Sequence, residues 1–129
     1  PETPPDSRLY TWNYAADGVT IEKTAKNLAD TTVDGVTNEG VKTTLKREVQ
    51  AQQYRKLAET DWAIIRKADK GTAIPSNIQN YRDAIRTRAT EMENAIDGAA
   101  NTDAVAELFV THDKDGNKSG ILYDWPELS

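Results

Sequence analysis

Ile78, Tyr81, Ile85, Arg88 or Ala89, Met92 and Ile96 fall on one helical stripe almost twenty residues long, the clearest amphipathic pattern in the chain. Pro75 and Ser76 mark its start, where proline is tolerated in a first turn, and Gly98 its end. A helix with a single apolar face must lay that face on something. The sequence offers one partner of matching length, a helix predicted over about residues 39–58. Its stripe is Val41, Leu45, Val49, Gln52 or Gln53, and Leu57, with Thr37 or Asn38 as its cap. That stripe is narrow and polar in its middle, which suits a seam against one neighbour or another copy.

Between these helices Thr60 interrupts the pattern. Its hydroxyl is expected to cap the following turn, and Asp61 suits a helix N-terminus. This restart is expected to aim Trp62 inward, with Ile65 and Ile64 as further anchors and Gly71 closing the helix. Thr102-Asp103 opens one more short helix, Ala104 to Leu108.

The ends of the chain read as β structure. Leu9 to Tyr14 is an aromatic-rich strand, Val19-Thr20-Ile21 its expected partner, and Asp17-Gly18 the turn between them. Leu28 to Gly40 reads as a connector or irregular strands with a second turn at Asp34-Gly35. Two short strands around Asp115-Gly116 predict a hairpin near the C-terminus. Pro1 to Ser7, with three prolines and no apolar anchor, reads as an extended arm, ordered only where something holds it. The predicted class is α+β, predominantly helical, with a central helical hairpin of two to three helices. Its expected parts are an arm (1–8), a β-hairpin and connector (9–36), a helical core (37–110), and a C-terminal hairpin with a Trp-Pro tail (108–129).

Composition narrows the function classes. With 129 residues, 37% apolar and 29% charged, the chain is one domain with little core material to spare, so either an elongated shape or an interface that completes burial is expected. A net charge of −5 with scattered bases argues against nucleic acid. No apolar run approaches membrane-spanning length, and no charged-then-apolar signal opens the chain. Pro1 suits removal of an initiator methionine, consistent with synthesis in a cytoplasm.

Candidate chemistry is thin. Asp113, Asp115, Asn117 and Ser119 alternate oxygen ligands, but lysine stands sixth and Asp124 twelfth where a calcium loop needs glycine and glutamate; a polar hairpin tip is the favoured reading. His112 is the only histidine and has no nucleophile beside it. No glycine-rich phosphate loop and no cysteine occur, and no pair stands out among Glu91, Glu93, Asp97, Asp103 and Glu107. No catalytic residue, metal or cofactor is expected. Trp62, Tyr81 and Arg82 admit two readings. In one, Trp62 packs against Tyr81 while Arg82 pairs with Asp61 or Asp83, so that Trp62→Ala would mainly unfold the protein. In the other, part of the cluster stays exposed as a contact for a partner, since these residue types dominate such sites.

Leu57-Ala58-Glu59-Thr60-Asp61-Trp62, then Tyr81-Arg82-Asp83-Ala84-Ile85-Arg86, and Trp125-Pro126 near the C-terminus together resemble the pattern of the small phage tail assembly chaperone-like proteins. The resemblance covers about residues 47–97, with Ala58 in place of a second leucine and Trp125-Pro126 further downstream than usual. It implies a virion protein made in the host cytoplasm, a tail, baseplate or fibre-attachment component acting through protein–protein contacts. The alternative it implies is a transient tail or fibre assembly chaperone. The expected partners are other virion proteins and copies of the chain itself, with no nucleic acid and no membrane. Trp62, Tyr81, Arg82, Trp125 and Pro126 are the expected partner-binding residues.

Overall fold

The computed structural model describes residues 2–129; Pro1, the first residue of the expected arm, lies outside them. The chain is α+β with a helical majority. Its elements run β1 (Tyr10–Tyr14), β2 (Ile21–Ala25), β3 (Thr31–Val33), β4 (Val36–Asn38), α1 (Val41–Ala58), α2 (Asp61–Lys70), α3 (Ser76–Gly98) and α4 (Thr102–Ala106). Strands β1 and β2 form one antiparallel hairpin, and β3 and β4 a second.

α1 and α3 lie antiparallel as the central pair. Near the start of α1, Lys42 Nζ donates to the Asp97 carbonyl at 2.9 Å and Lys46 pairs with Asp97 at 3.0 Å. Near its end, Arg82 of α3 reaches the Leu57 carbonyl. The two predicted stripes meet here. Leu45 and Val49 of α1, Met92 and Ile96 of α3, Val105 of α4 and Leu122 are fully buried in one cluster. At its other end α3 buries Ile78, Tyr81 and Ile85.

The start of α1 is not capped by Thr37 or Asn38 as the sequence predicts. Those residues belong to β4, because Asp34 (φ 53) and Gly35 (φ 79) make a two-residue turn that commits them to the ladder. Gly40 is the N-cap, and the helix amides are satisfied from upstream. Val41 N–H donates to the Asn27 carbonyl at 2.8 Å and Lys42 N–H to the Leu28 carbonyl at 3.1 Å. Asp30 Oδ1 accepts from the Gly40 amide at 2.8 Å and the Thr43 hydroxyl at 2.7 Å, which holds its pKa below the ordinary carboxylate value.

The partner of β1 is Ile21–Ala25, not Val19–Ile21. The reason is Asp17. Its carboxylate accepts from the Val19 and Thr20 amides, both at 2.8 Å, and from the Thr20 hydroxyl at 2.6 Å, so these residues belong to the turn. The Thr20 hydroxyl, then the Thr20 and Val19 amides, bring the Asp17 pKa down to about 2. A depressed carboxylate contributes stability that is fully present above its unfolded value near 4 and lost as pH falls through the folded value. The Val19 and Thr20 amide resonances, which follow the ionisation of the folded-state carboxylate, are therefore expected to hold their positions down to about pH 3 and to titrate with a midpoint at about pH 2. Titration of those amides centred near pH 4 would contradict this.

The arm is held. Glu2 N–H donates to the Val19 carbonyl at 3.0 Å, and its carboxylate accepts from the Ile21 amide at 2.8 Å. Arg8 pairs with Asp6 at 2.8 Å, lowering the Asp6 pKa, and its guanidinium sits 4.3 Å over the Phe109 ring. The predicted C-terminal hairpin shrinks to a tip. Its antiparallel pairing is a single bridge, His112 to Lys118, and Leu122 instead pairs in parallel with Phe109. Asp113 turns the tip by accepting from the Asp115 and Asn117 amides, which uses its carboxylate locally and holds its pKa low.

Candidate functional site

The motif around residues 57–62 folds as a helix restart, but its chemistry differs from the expected one. Thr60 is buried and makes no side-chain cap; its hydroxyl donates to the Leu57 carbonyl at 3.2 Å. The organising group is Arg82, only 6% exposed, whose Nη1 donates to the Leu57 carbonyl at 2.8 Å and to Thr60 Oγ1 and Asp61 Oδ1 at 2.9 Å each. One guanidinium nitrogen thus joins the last turn of α1, the cap and the first residue of α2. Tyr81 beside it is buried, and desolvation raises its pKa.

Trp62 points outward, which corrects the expectation that the restart aims it inward. It is 50% exposed, and Ile65 and Ile64 are exposed as well; the one buried residue of α2 is Ala63. Apolar residues at 62, 64 and 65 surround much of the helix, so periodicity alone could not choose the inner face. Arg66, four residues on from Trp62, lies over its ring at 4.9 Å. Trp62→Ala is therefore expected to leave stability within about 0.5 kcal/mol of the parent, measured by urea unfolding, rather than to unfold the protein.

Trp125 has a place that the sequence hides. It is half-buried against the core, and its indole Nε1 donates to Gln52 Oε1 at 2.7 Å. The polar middle of the α1 stripe is thus the seat for the C-terminal tail. Tyr123 takes a left-handed conformation (φ 68) that turns the chain toward that seat, and its ring packs edge-on against Phe109. Pro126 is half-buried in the same shallow cleft as Trp125, lined also by Lys56, His112 and Lys118. The five expected partner-binding residues therefore divide. Tyr81 and Arg82 are interior, Trp125 and Pro126 cover α1, and Trp62 is presented to solvent.

Sequence reasoning missed other exposed apolar surfaces. The β1–β2 register puts Tyr10, Trp12 and Tyr14 on one face with Ile21, Lys23 and Ala25. Tyr10 is buried at the base, where its hydroxyl donates to Asp103 and its pKa is pushed up to about 12. Further out, Trp12 and Tyr14 stack edge to face with centroids 5.3 Å apart, both exposed. Val33 and Val36 form an exposed cross-strand pair on the second hairpin. Tyr54, 76% exposed, lines a shallow groove on α1 with Ala51, Gln53 and Leu57. The period-two alternation around Trp12 was a usable signal; what it could not reveal is that the face is covered at Tyr10 and left exposed at Trp12 and Tyr14.

A cleft of about 660 Å³ lies between the first hairpin and the start of α1, and the charged groups that line it are Arg8, Lys26 and Glu39. Among the described residues no cluster of three histidine, aspartate or glutamate side chains could hold a metal ion, and no helix is long and apolar enough to cross a membrane. Comparisons with protein-family models, with curated proteins and with solved structures find no match for this chain.

Proposed function

We propose that this protein is a non-enzymatic virion structural protein of a tailed phage, a tail, baseplate or fibre-attachment component that acts through protein–protein contacts. The observation that carries the contact role is the placement of large apolar side chains outside the core: Trp12 and Tyr14, Val33 and Val36, Tyr54, and Trp62 with Ile65. Burying such side chains is what association gains most from, and aromatic anchors dominate binding energy. The phage assignment draws on the resemblance of the 57–62 and 81–86 segments to the tail assembly chaperone-like pattern.

The transient chaperone reading draws on a different feature, the apolar groove of Ala51, Tyr54 and Leu57 along α1. Against it stands Met92, the only methionine, which is fully buried and lends no adaptable surface. Quantitative mass spectrometry of purified infectious particles against infected-cell lysate separates the two. A fixed copy number in particles is the expected result. Abundance in lysate with absence from particles would replace the structural reading with the chaperone one.

A further inference from the structure

The 125–129 segment is seated across both central helices by side-chain contacts, and the turn that delivers it is strained. Up to Leu122 the chain is fixed. Leu122 is fully buried, its amide donates to the Leu108 carbonyl at 2.8 Å, and Gly120 lies against the Phe109 backbone. Residues 121–124 then make a tight turn, closed by the Asp124 amide donating to the Ile121 carbonyl at 3.1 Å. Its third residue is Tyr123 at φ 68, a left-handed position that glycine or asparagine takes readily and tyrosine does not. Beyond the turn, Trp125 Nε1 donates to Gln52 of α1 at 2.7 Å, and Asn77 Nδ2 of α3 donates to the Ser129 carbonyl at 3.1 Å. The seat is thus a groove along the α1–α3 pair, and the segment it is seen to fit is this one.

We infer that two copies of the protein exchange these segments, residues 125–129 of each lying in the α1–α3 groove of the other. The inference rests on reading the protein as one that works through contacts, and it names a second copy as one partner. Straightening the turn relieves the left-handed backbone at Tyr123, while the contacts of Trp125 and Ser129 are remade on the partner. A short strained hinge is what invites such swapping. Chain length sets the geometry. Trp125 stands two residues beyond Tyr123, a reach of about 7 Å in extended chain, so the partner's groove must lie beside this copy's hinge. Each hinge also lies within that reach of its own groove, because Trp125 spans the gap in the closed form. The two grooves therefore face each other, the exchange is reciprocal, and the assembly closes as a twofold dimer.

The chain has no cysteine, so an introduced pair reports the exchange directly. Asn77→Cys/Ser129→Cys places one thiol on the seat and one on the segment, both at exposed positions. Under mild oxidation at ~10 μM the expected product is a monomer closed on itself. At ~1 mM, comparable with the effective concentration of a short tethered segment, a covalent dimer is expected on a denaturing gel. Mixing Asn77→Cys chains with Ser129→Cys chains at ~1 mM is expected to give the covalent heterodimer, since these thiols meet only when the segment of one copy lies on the other. Two changes in both chains lower that yield by about tenfold each: Trp125→Ala, which removes the aromatic anchor, and Tyr123→Gly, which accepts the left-handed turn without strain. Unchanged circular dichroism verifies folding of every variant. Intrachain closure at every concentration, no disulfide at any, or a heterodimer yield that either change leaves unmoved would each overturn the exchange. Exchange absent with a fixed copy number in particles removes the exchange alone; exchange present with absence from particles removes the virion reading alone.

Discussion

Gly40→Ala is expected to destabilise the protein by about 3 kcal/mol, lowering the midpoint of thermal unfolding by roughly 10 °C. A Cβ at residue 40 would stand 2.3 Å from the Leu28 carbonyl oxygen and 2.4 and 2.5 Å from the carbonyl carbon and oxygen of Ala29. All three are backbone atoms, so no side chain can swing aside. Moving the bend at residues 28–29 away would stretch the bonds that carry the start of α1, from Val41 to Asn27, from Lys42 to Leu28, and from Gly40 to Asp30. Each is worth about 1 kcal/mol, and breaking them would expose the first turn of a helix whose Val41 is core. Gly98→Ala is the control. Nothing lies within 4 Å of its Cβ position at the end of α3, and alanine there should be neutral or stabilising by up to about 1 kcal/mol. Equal melting shifts for the two variants would show that the close approach at Gly40 is not what requires glycine.

Gly40 also shows where sequence reasoning stops. Its φ of −80° is open to any residue, so no turn rule marks it; only the close approach of the backbone bend at Leu28 and Ala29 makes it special. Gly120 is the same case at the other end of the chain, with the Phe109 carbonyl oxygen 2.1 Å from its Cβ position. Local signals were legible. The Asp34-Gly35 turn, the left-handed Gly71 that ends α2 and the 78–96 stripe all follow from backbone preferences and periodicity that neighbouring residues set between themselves. What depends on tertiary meeting was not. The polar gap at Gln52 becomes sensible only once Trp125 returns to fill it, and Trp62 reads as interior until Ala63 is seen to hold the inner face. Residue character was a poor guide in α2 because burial there follows rotational position, and the smallest side chain won it.

The motif residues themselves point to the second large effect. Arg82→Ala is expected to cost about 3 kcal/mol, whereas Asp61→Ala should cost less than about 1 kcal/mol, although the two form one ion pair at 2.9 Å. The difference follows from burial. The Asp61 side chain is half exposed, so water replaces the arginine when the carboxylate is lost or left alone. Arg82 is almost fully buried, and its removal takes one charged donor from three acceptors at once, leaving the Leu57 carbonyl and the Thr60 hydroxyl to each other at 3.2 Å. It also deletes an interior side chain of α3, opening a void where α1 turns into α2. Arg82→Lys should recover only part of the loss, because a single ammonium cannot keep both the packing of the planar fork and its reach to the α1 carbonyl. Urea unfolding of the three variants checks this order. If Asp61→Ala proved as damaging as Arg82→Ala, the ion pair would be the source of stability; if neither mattered, the junction between α1 and α2 would be held by packing around Ala63 and Tyr81 alone.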